Sequence, residues 1–288
     1  MHKNRKTKKK TPVTAAPGPS TLTTQSSSNN PAATRKVIRR FHVLLKRQTQ
    51  LKKKLLDTTS SPTRDGLEDE LTSVQDEMDR MGGLAAYQRM STIGQGNDRG
   101  GGSEKVLVGW LRELKEHERS DKGGGKLRLF EVGALKPNNY ATCASWIHSH
   151  PIDLHSQHPE IQEQDFLLVS EEENRSKWDV ISLSLVLNFV PIPQDRAHSM
   201  LREGGYLFVA LPLPCILNSR YLTEDSFHEL MEALSFKRLQ SRWKNGGKMA
   251  YWLYQKTNWA VEGRGIDPKF QSKTVLRQGD RNNFSILL

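Results

Sequence analysis

DVISLSLVLNFVPIPQDRAHSMLREGGYLFVALPLP, running from Asp179 to Pro214, decides the fold. It opens with WDVISLSLVL, counted from Trp178, an apolar run rich in Val, Ile and Leu. Such a run suits a strand buried on both faces. YLFVALP, from Tyr206, repeats the pattern at the far end. PQDRAHSMLRE between them has helical spacing and is closed by Gly204-Gly205, the usual punctuation of a helix end. Two fully buried strands joined through a helix make a parallel pair.

The alternation extends outward over residues 104–257. EKVLVGWLRELKEHE reads as a helix with one apolar side, and KLRLFEVG as a short buried strand. NYATCASWIHSH is expected to be a helix leading to a second short strand, PIDLH, followed by IQEQDFLLV. TEDSFHELMEALSF begins with Thr223, a natural N-cap, and is amphipathic. KRLQSRWKNGGKMAYWLYQK is a hairpin about Gly246-Gly247. The expected fold class is α/β, a mostly parallel sheet with a terminal antiparallel hairpin. Residues 258–288 are less regular, and NNFSILL either adds an edge strand or docks on the domain.

Charge divides the chain. Residues 1–56 hold fifteen Lys and Arg and no acid, leaving 28 basic against 32 acidic residues beyond. Residues 1–34, a basic cluster (Lys3, Arg5, Lys6, Lys8, Lys9, Lys10) followed by a Pro, Ser, Thr and Ala tract, are expected to be disordered. That cluster suits a nuclear address or a phosphate-seeking tail; a merely solvated tail is the plainer alternative. Residues 35–90 carry helical periodicity in a basic arm and an acidic arm separated near Pro62. This helical hairpin either pairs with itself or presents the basic arm to RNA. Residues 91–103, rich in Gly, read as a joint. Two cysteines, Cys143 and Cys215, make neither a disulfide framework nor a zinc pattern. No run approaches the roughly 20 apolar residues of a membrane helix, so a soluble intracellular protein without membrane or metal is expected. Cys143, His148, His150, His155 and His158 lie close in sequence, but their spacing fits no common zinc site, and solvated or loop histidines are expected.

In open α/β sheets, ligands bind beyond the carboxyl ends of the strands. After the first strand, Glu131 and Gly133 stand in FEVGALKPN; glycine there lets the backbone turn sharply and approach a ligand. Asp153 follows twenty residues later, the spacing at which an acid grips a ribose hydroxyl. Asp165 and Phe166 can meet an adenine amino group and ring face. A turn glycine, and for Asp165-Phe166 a helix cap and a core ring, are the plainer alternatives.

The order FEVG, acid, QDF, DVISLSLVLNFVP, LREGGYLFVALP resembles the Rossmann-like class I S-adenosylmethionine-dependent methyltransferases. IDLHSQHPEIQEQDFL, DVISLSLVLNFVPIPQDRAHSML, LPLPCILNSRYLT and RNNFSILL narrow the resemblance to the fungal 25S ribosomal RNA adenine-N1 methyltransferases, over about Val106 to Leu288. The first loop departs from the wider superfamily in having one glycine where two or three are usual. The resemblance implies S-adenosyl-L-methionine as cofactor, large-subunit ribosomal RNA or a pre-ribosomal particle as partner, and a place in the nucleus and nucleolus. It sets Asn188 and Phe189 where superfamily members hold the target base; packing against the cofactor is their other reading. Asn218, Arg220 and Tyr221, after the fifth strand, are candidates for RNA contact. A rival reading is a sensor that binds the cofactor and acts through protein partners. It would keep Gly133, Asp153 and Asp165 but need neither LNFVP nor a basic arm.

Overall fold

A computed structural model describes residues 31–57, 61–83, 86, 102–119, 121–156, 158–187, 196–257 and 267–287. Its centre is a seven-stranded sheet in the order β3-β2-β1-β4-β5-β7-β6. The strands are β1 (Leu127–Val132), β2 (Ile147–Asp153), β3 (Gln162–Glu163), β4 (Trp178–Ser184), β5 (Leu201–Pro212), β6 (Phe236–Arg242) and β7 (Met249–Lys256). β1 to β5 run parallel; β7 pairs antiparallel with β5 and with β6. This is the Rossmann-like class I methyltransferase arrangement that the resemblance implied.

Side chains alternate across the sheet, so the apolar strands feed two layers. Leu127 and Leu129 of β1, Val180 of β4 and Phe208 of β5 meet Leu107, Trp110 and Leu111 of α3 (Ser103–Glu113). Phe130, Ile181, Leu183, Leu207 and Val209 turn to the other layer, against Phe227, Leu230 and Met231 of α7 (Glu224–Ala233). Thr223 caps α7, its hydroxyl accepting from the Ser226 amide, while Ser226 Oγ accepts from the Thr223 amide. Among the described residues, three short helices join these layers: α4 (Glu171–Asn174), α5 (Arg196–Met200) and α6 (Pro214–Leu217).

Three expectations are corrected. Between β1 and β2 lies a single 3-10 turn at Ala141–Cys143, and β2 already begins at Ile147. Six-residue pairing with β1, from Leu127↔Ile147 to Val132↔Ile152, outweighs the weak helical spacing there. Gly204-Gly205 does not close a helix. β5 starts at Leu201, opposite Trp178, and the next partner pair is Val180↔Tyr206, so the glycines lie in a bulge. A Cβ on Gly205 would stand 2.9 Å from the Arg202 carbonyl oxygen and 3.1 Å from that of Asp179. β4 ends at Ser184, because Leu185 takes a positive φ of 61° and donates its amide to Ala210 O. Third, then, its strand is three residues shorter than its apolar run. IQEQDFLLV, for which no element was expected, supplies the two-residue β3 and a 3-10 turn, Phe166–Leu168.

The end of the chain docks rather than adding a ladder strand. It makes one bridge, Ser219↔Asn282, and buries Phe270, Phe284 and Ile286 in the α7 layer. Near the start, α1 (Pro31–Asp57) and α2 (Ser61–Arg80) pack through Phe41, Leu44, Leu51, Val74 and Met78. Arg40 grips Glu77 with two bonds of 2.6 Å, and Arg47 grips Glu70 at 2.6 and 2.7 Å. The basic and acidic arms thus pair with each other.

Candidate functional site

Because β1, β2, β4 and β5 are parallel, their carboxyl ends share one edge of the sheet. The turn after β1 is drawn over β2: the Gly133 and Ala134 amides donate to Ile152 O at 2.9 and 3.0 Å. Gly133 has φ 76°, and a Cβ there would meet Val186 Cγ2 at 3.0 Å. The position therefore needs glycine twice over, for its backbone and for its clearance.

Glu131, one residue short of the strand end, is 7% exposed. Its Oε1 accepts from Asn139 Nδ2 at 2.7 Å. Its Oε2 is buried and, among the described residues, has no hydrogen-bond partner. Burial pushes its pKa from 4.5 up to about 7; the Asn139 bond opposes the rise, and the charge of Glu104 adds to it. A buried carboxylate oxygen without a donor is costly. Here it stands at the end of the sheet where a ligand is expected.

Asp153 is the last residue of β2, and its Oδ1 accepts from the His155 amide at 3.0 Å. Its own carbonyl receives the Gln164 amide at 2.9 Å, which brings QDF to the same edge. Asp165 caps the 3-10 turn, Oδ1 accepting from the Leu167 amide at 2.8 Å. Phe166 sets its ring 6.3 Å from that of Phe130 and packs on the core. Asp165 and Phe166 thus make the cap-and-core contacts of their plainer reading. Asn188 and Phe189 lie outside the described residues; Leu187 is the last described residue before them.

Several contributors were not anticipated. Asn139 pairs with Glu131, and Ser103 Oγ at the start of α3 lies 2.7 Å from Ser184 Oγ at the end of β4. Tyr140 is buried and hydrogen-bonded to Ser182, and burial raises its pKa well above the ordinary tyrosine value. The only signal for Asn139 was the Asn pair in the turn after Gly133; nothing in the sequence said which strand it would face.

The loop after β5 lies at the same edge. Ser219 is fully buried, donating to Phe284 O at 2.6 Å and accepting from the Tyr221 and Leu222 amides. Asn218 Oδ1 accepts from Arg281 Nη1, and Arg220 Nη2 donates to Gly279 O. Of the histidines, His155 and His158 are exposed. His150, by contrast, stacks on Phe130 at 5.7 Å and tilts against Trp178 at 5.5 Å, and burial lowers its pKa. Among the described residues, no group of three His, Cys, Asp or Glu could hold a metal ion, and no helix is long and apolar enough to cross a membrane.

Comparison with known proteins adds to this geometry. A Schizosaccharomyces pombe protein named 25S rRNA adenine-N(1) methyltransferase is 34% identical over 262 residues, covering 87% of this chain and 90% of that one. A Saccharomyces cerevisiae protein named 25S rRNA (adenine(2142)-N(1))-methyltransferase is 34% identical over 224 residues, covering 75% of this chain and 62% of that one. Among solved structures, an S-adenosylmethionine dependent methyltransferase from Mesorhizobium loti overlaps at 10% identity and a TM-score of 0.36, covering 46% of this chain and 92% of that one. The family model described as 25S rRNA (adenine(2142)-N(1))-methyltransferase, Bmt2, matches residues 72–286. With three quarters of its length inside that match and a relative covered almost end to end, the chain belongs to the Bmt2 family.

Proposed function

We propose that the protein is an S-adenosylmethionine-dependent methyltransferase that methylates N1 of an adenine in large-subunit ribosomal RNA. Membership of the Bmt2 family is the observation that carries this reading. The site fits the cofactor. Gly133 leaves a clearance that a Cβ would fill, and Glu131 Oε2 is a buried acceptor without a donor. Asp153 ends the strand beside them.

In our assignment Gly133 allows close backbone approach, Asp153 accepts from the ribose, and Glu131 faces the positive end of the methionine portion. Asp165 and Phe166 border the adenine. The cofactor, when bound, supplies a methyl group on a sulfonium, which leaves with no electrons of its own. Adenine N1 carries an in-plane lone pair and no proton at neutral pH, so its attack needs no strong general base. The protein's contribution is alignment and exclusion of water. N1 is occupied in a Watson–Crick pair, so the target base must be unpaired or flipped out and held by its edge and face. We assign that holding to Asn188 and Phe189. Residues 104–257 form the catalytic domain in this reading, with residues 258–288 packed on it. Residues 1–34 are assigned as a basic tail, 35–90 as a helical hairpin and 91–103 as the joint; residues 1–30, 84–85, 87–101 and 258–266 lie outside the described residues. The assembling particle in the nucleolus is the proposed setting, and a fluorescent fusion found outside the nucleus would remove that part.

The test combines the full chain, labelled S-adenosylmethionine and unmodified large-subunit RNA, followed by digestion to nucleosides. Label in 1-methyladenosine is expected. Cofactor binding without transfer, on free RNA and on pre-ribosomal particles alike, would favour the sensor instead.

A further inference from the structure

The β6–β7 hairpin carries an exposed tryptophan and three exposed cations at its tip. β7 runs against β5, with Pro212 opposite Met249, so the hairpin tip, residues 243–248, stands at the carboxyl edge of the sheet. It is fastened there: the Leu213 amide donates to Lys248 O at 2.8 Å. Trp243 lies at the tip, 39% exposed, its indole Nε1 donating to both carboxylate oxygens of Glu224 at 3.1 and 3.2 Å. That anchor fixes the ring while leaving it open to solvent. Arg242, Lys244 and Lys248 flank it, all exposed.

The neighbouring loop continues the surface. Lys273 sits 5.7 Å over the Tyr221 ring, and Arg220 and Arg281 bind only neutral oxygens, those of Gly279, Gln278 and Asn218. Among the described residues no carboxylate pairs with either guanidinium. Glu224, joined to Trp243, follows the N-cap of α7, and its Oε1 also lies 3.6 Å from His228 Nε2. The result is a fixed aromatic plate flanked by exposed cations, beside the carboxyl end of β5. A phosphate chain with unpaired bases has both complements: charge for the cations and π-faces for the ring.

We infer that the β6–β7 tip and the loop after β5 form a clamp for single-stranded RNA, in which Trp243 stacks an unpaired base next to the target adenine while Lys244, Lys248, Arg220 and Lys273 hold the adjoining phosphates. This rests on the proposed function, because it supplies that function with its RNA face. Glu224 positions Trp243 and touches no base.

The experiment measures binding of a fluorescent, unstructured RNA oligomer to the full chain by anisotropy over a salt series, with S-adenosylmethionine affinity measured by calorimetry beside it. Trp243→Ala is expected to weaken RNA binding about tenfold, in keeping with the loss of one stacked base. Trp243→Phe keeps a ring and should retain most of the affinity. The double variant Lys244→Gln, Lys248→Gln should lower the salt slope by about 1.4, at about 0.7 per phosphate released from a single strand. Cofactor affinity should hold in all three. RNA affinity of Trp243→Ala equal to the parent's would overturn the clamp, as would a parallel loss of cofactor affinity in Trp243→Phe and the lysine variant. If Trp243→Ala fails to fold, the other two decide. Should the parent show clamp-dependent RNA binding but no methyl transfer, the proposed function falls and the clamp stands.

Discussion

Asp179 and Glu131 are buried carboxylates on adjacent strands, at opposite ends of the sheet, and they are treated in opposite ways. Asp179, near the start of β4, is 1% exposed. It receives the Arg119 guanidinium at 2.7 Å, the Arg128 amide at 2.8 Å, Arg128 Nε at 3.4 Å, and Arg202 Nε. Burial raises its pKa, but the Arg119, Arg128 and Arg202 bonds outweigh burial and hold it below the usual carboxylate value. Glu131, near the end of β1, has one donor and an open oxygen, and burial holds it near neutrality. One carboxylate is spent on the fold. The other is kept short of partners where a nucleoside would sit. The difference teaches where to look: satisfaction marks structure, and a deficit at the carboxyl edge marks function.

Removing the satisfied carboxylate should have the largest effect. Asp179→Asn leaves three guanidiniums facing a neutral amide and is expected to destabilise by about 3–4 kcal/mol, moderated because the arginines reach water. Urea unfolding at pH 7 measures it, and a loss under about 1 kcal/mol would erase the contrast. The contribution of Asp179 is present above its unfolded pKa near 3.8 and is lost as pH falls through its lower folded value.

Glu131 has the reverse sign. Its folded pKa is raised, so stability is fullest below about 4.5 and falls as pH rises toward about 7. At about 1.36 kcal/mol per pH unit the gap is worth about 3 kcal/mol. In Glu131→Gln this fall between pH 5 and pH 8 should disappear, while cofactor affinity drops. Unfolding curves at the two pH values read the first effect and calorimetry the second. An unchanged pH profile would mean that the carboxyl ionises freely and that the deficit is not real.

Asp153→Ala tests the neighbour and should weaken cofactor binding by about 1.5–3 kcal/mol, the worth of a hydrogen bond to a charged group. Unaltered affinity would remove Asp153 from the site. The smallest change is a slope. Deleting residues 1–34 should flatten the salt dependence of RNA binding and leave cofactor binding intact; an identical slope would show that the tail contacts no phosphate.

The sheet was legible because its central strands are buried on both faces, which writes them as apolar runs such as Leu207 to Leu211. β2 was harder. Its His148, Ser149 and His150 look like loop residues, yet the His150 ring serves as a plate against Phe130 and Trp178. Gly204-Gly205 misled for a related reason: a glycine pair marks an unusual backbone without saying whether a helix ends or a strand bulges. Spacing proposed Glu131, Gly133 and Asp153 because strand ends are placed by topology, and the structure sets all three at one edge of the sheet. It was silent on Asn139 and Trp243, whose positions depend on how a turn folds back and how a hairpin lies across its neighbours.

The loop after β5 has a partner that is made late. A growing chain that has reached the end of β7 possesses every strand of the sheet, with Glu131, Gly133 and Asp153 already encoded. Ser219, however, still lacks the Phe284 carbonyl it donates to, 65 residues further on. Arg220 likewise waits for Gly279 and Asn282. Truncation after Lys256 is therefore expected to leave the loop after β5 without these partners and to uncover the core that Phe270, Phe284 and Ile286 complete.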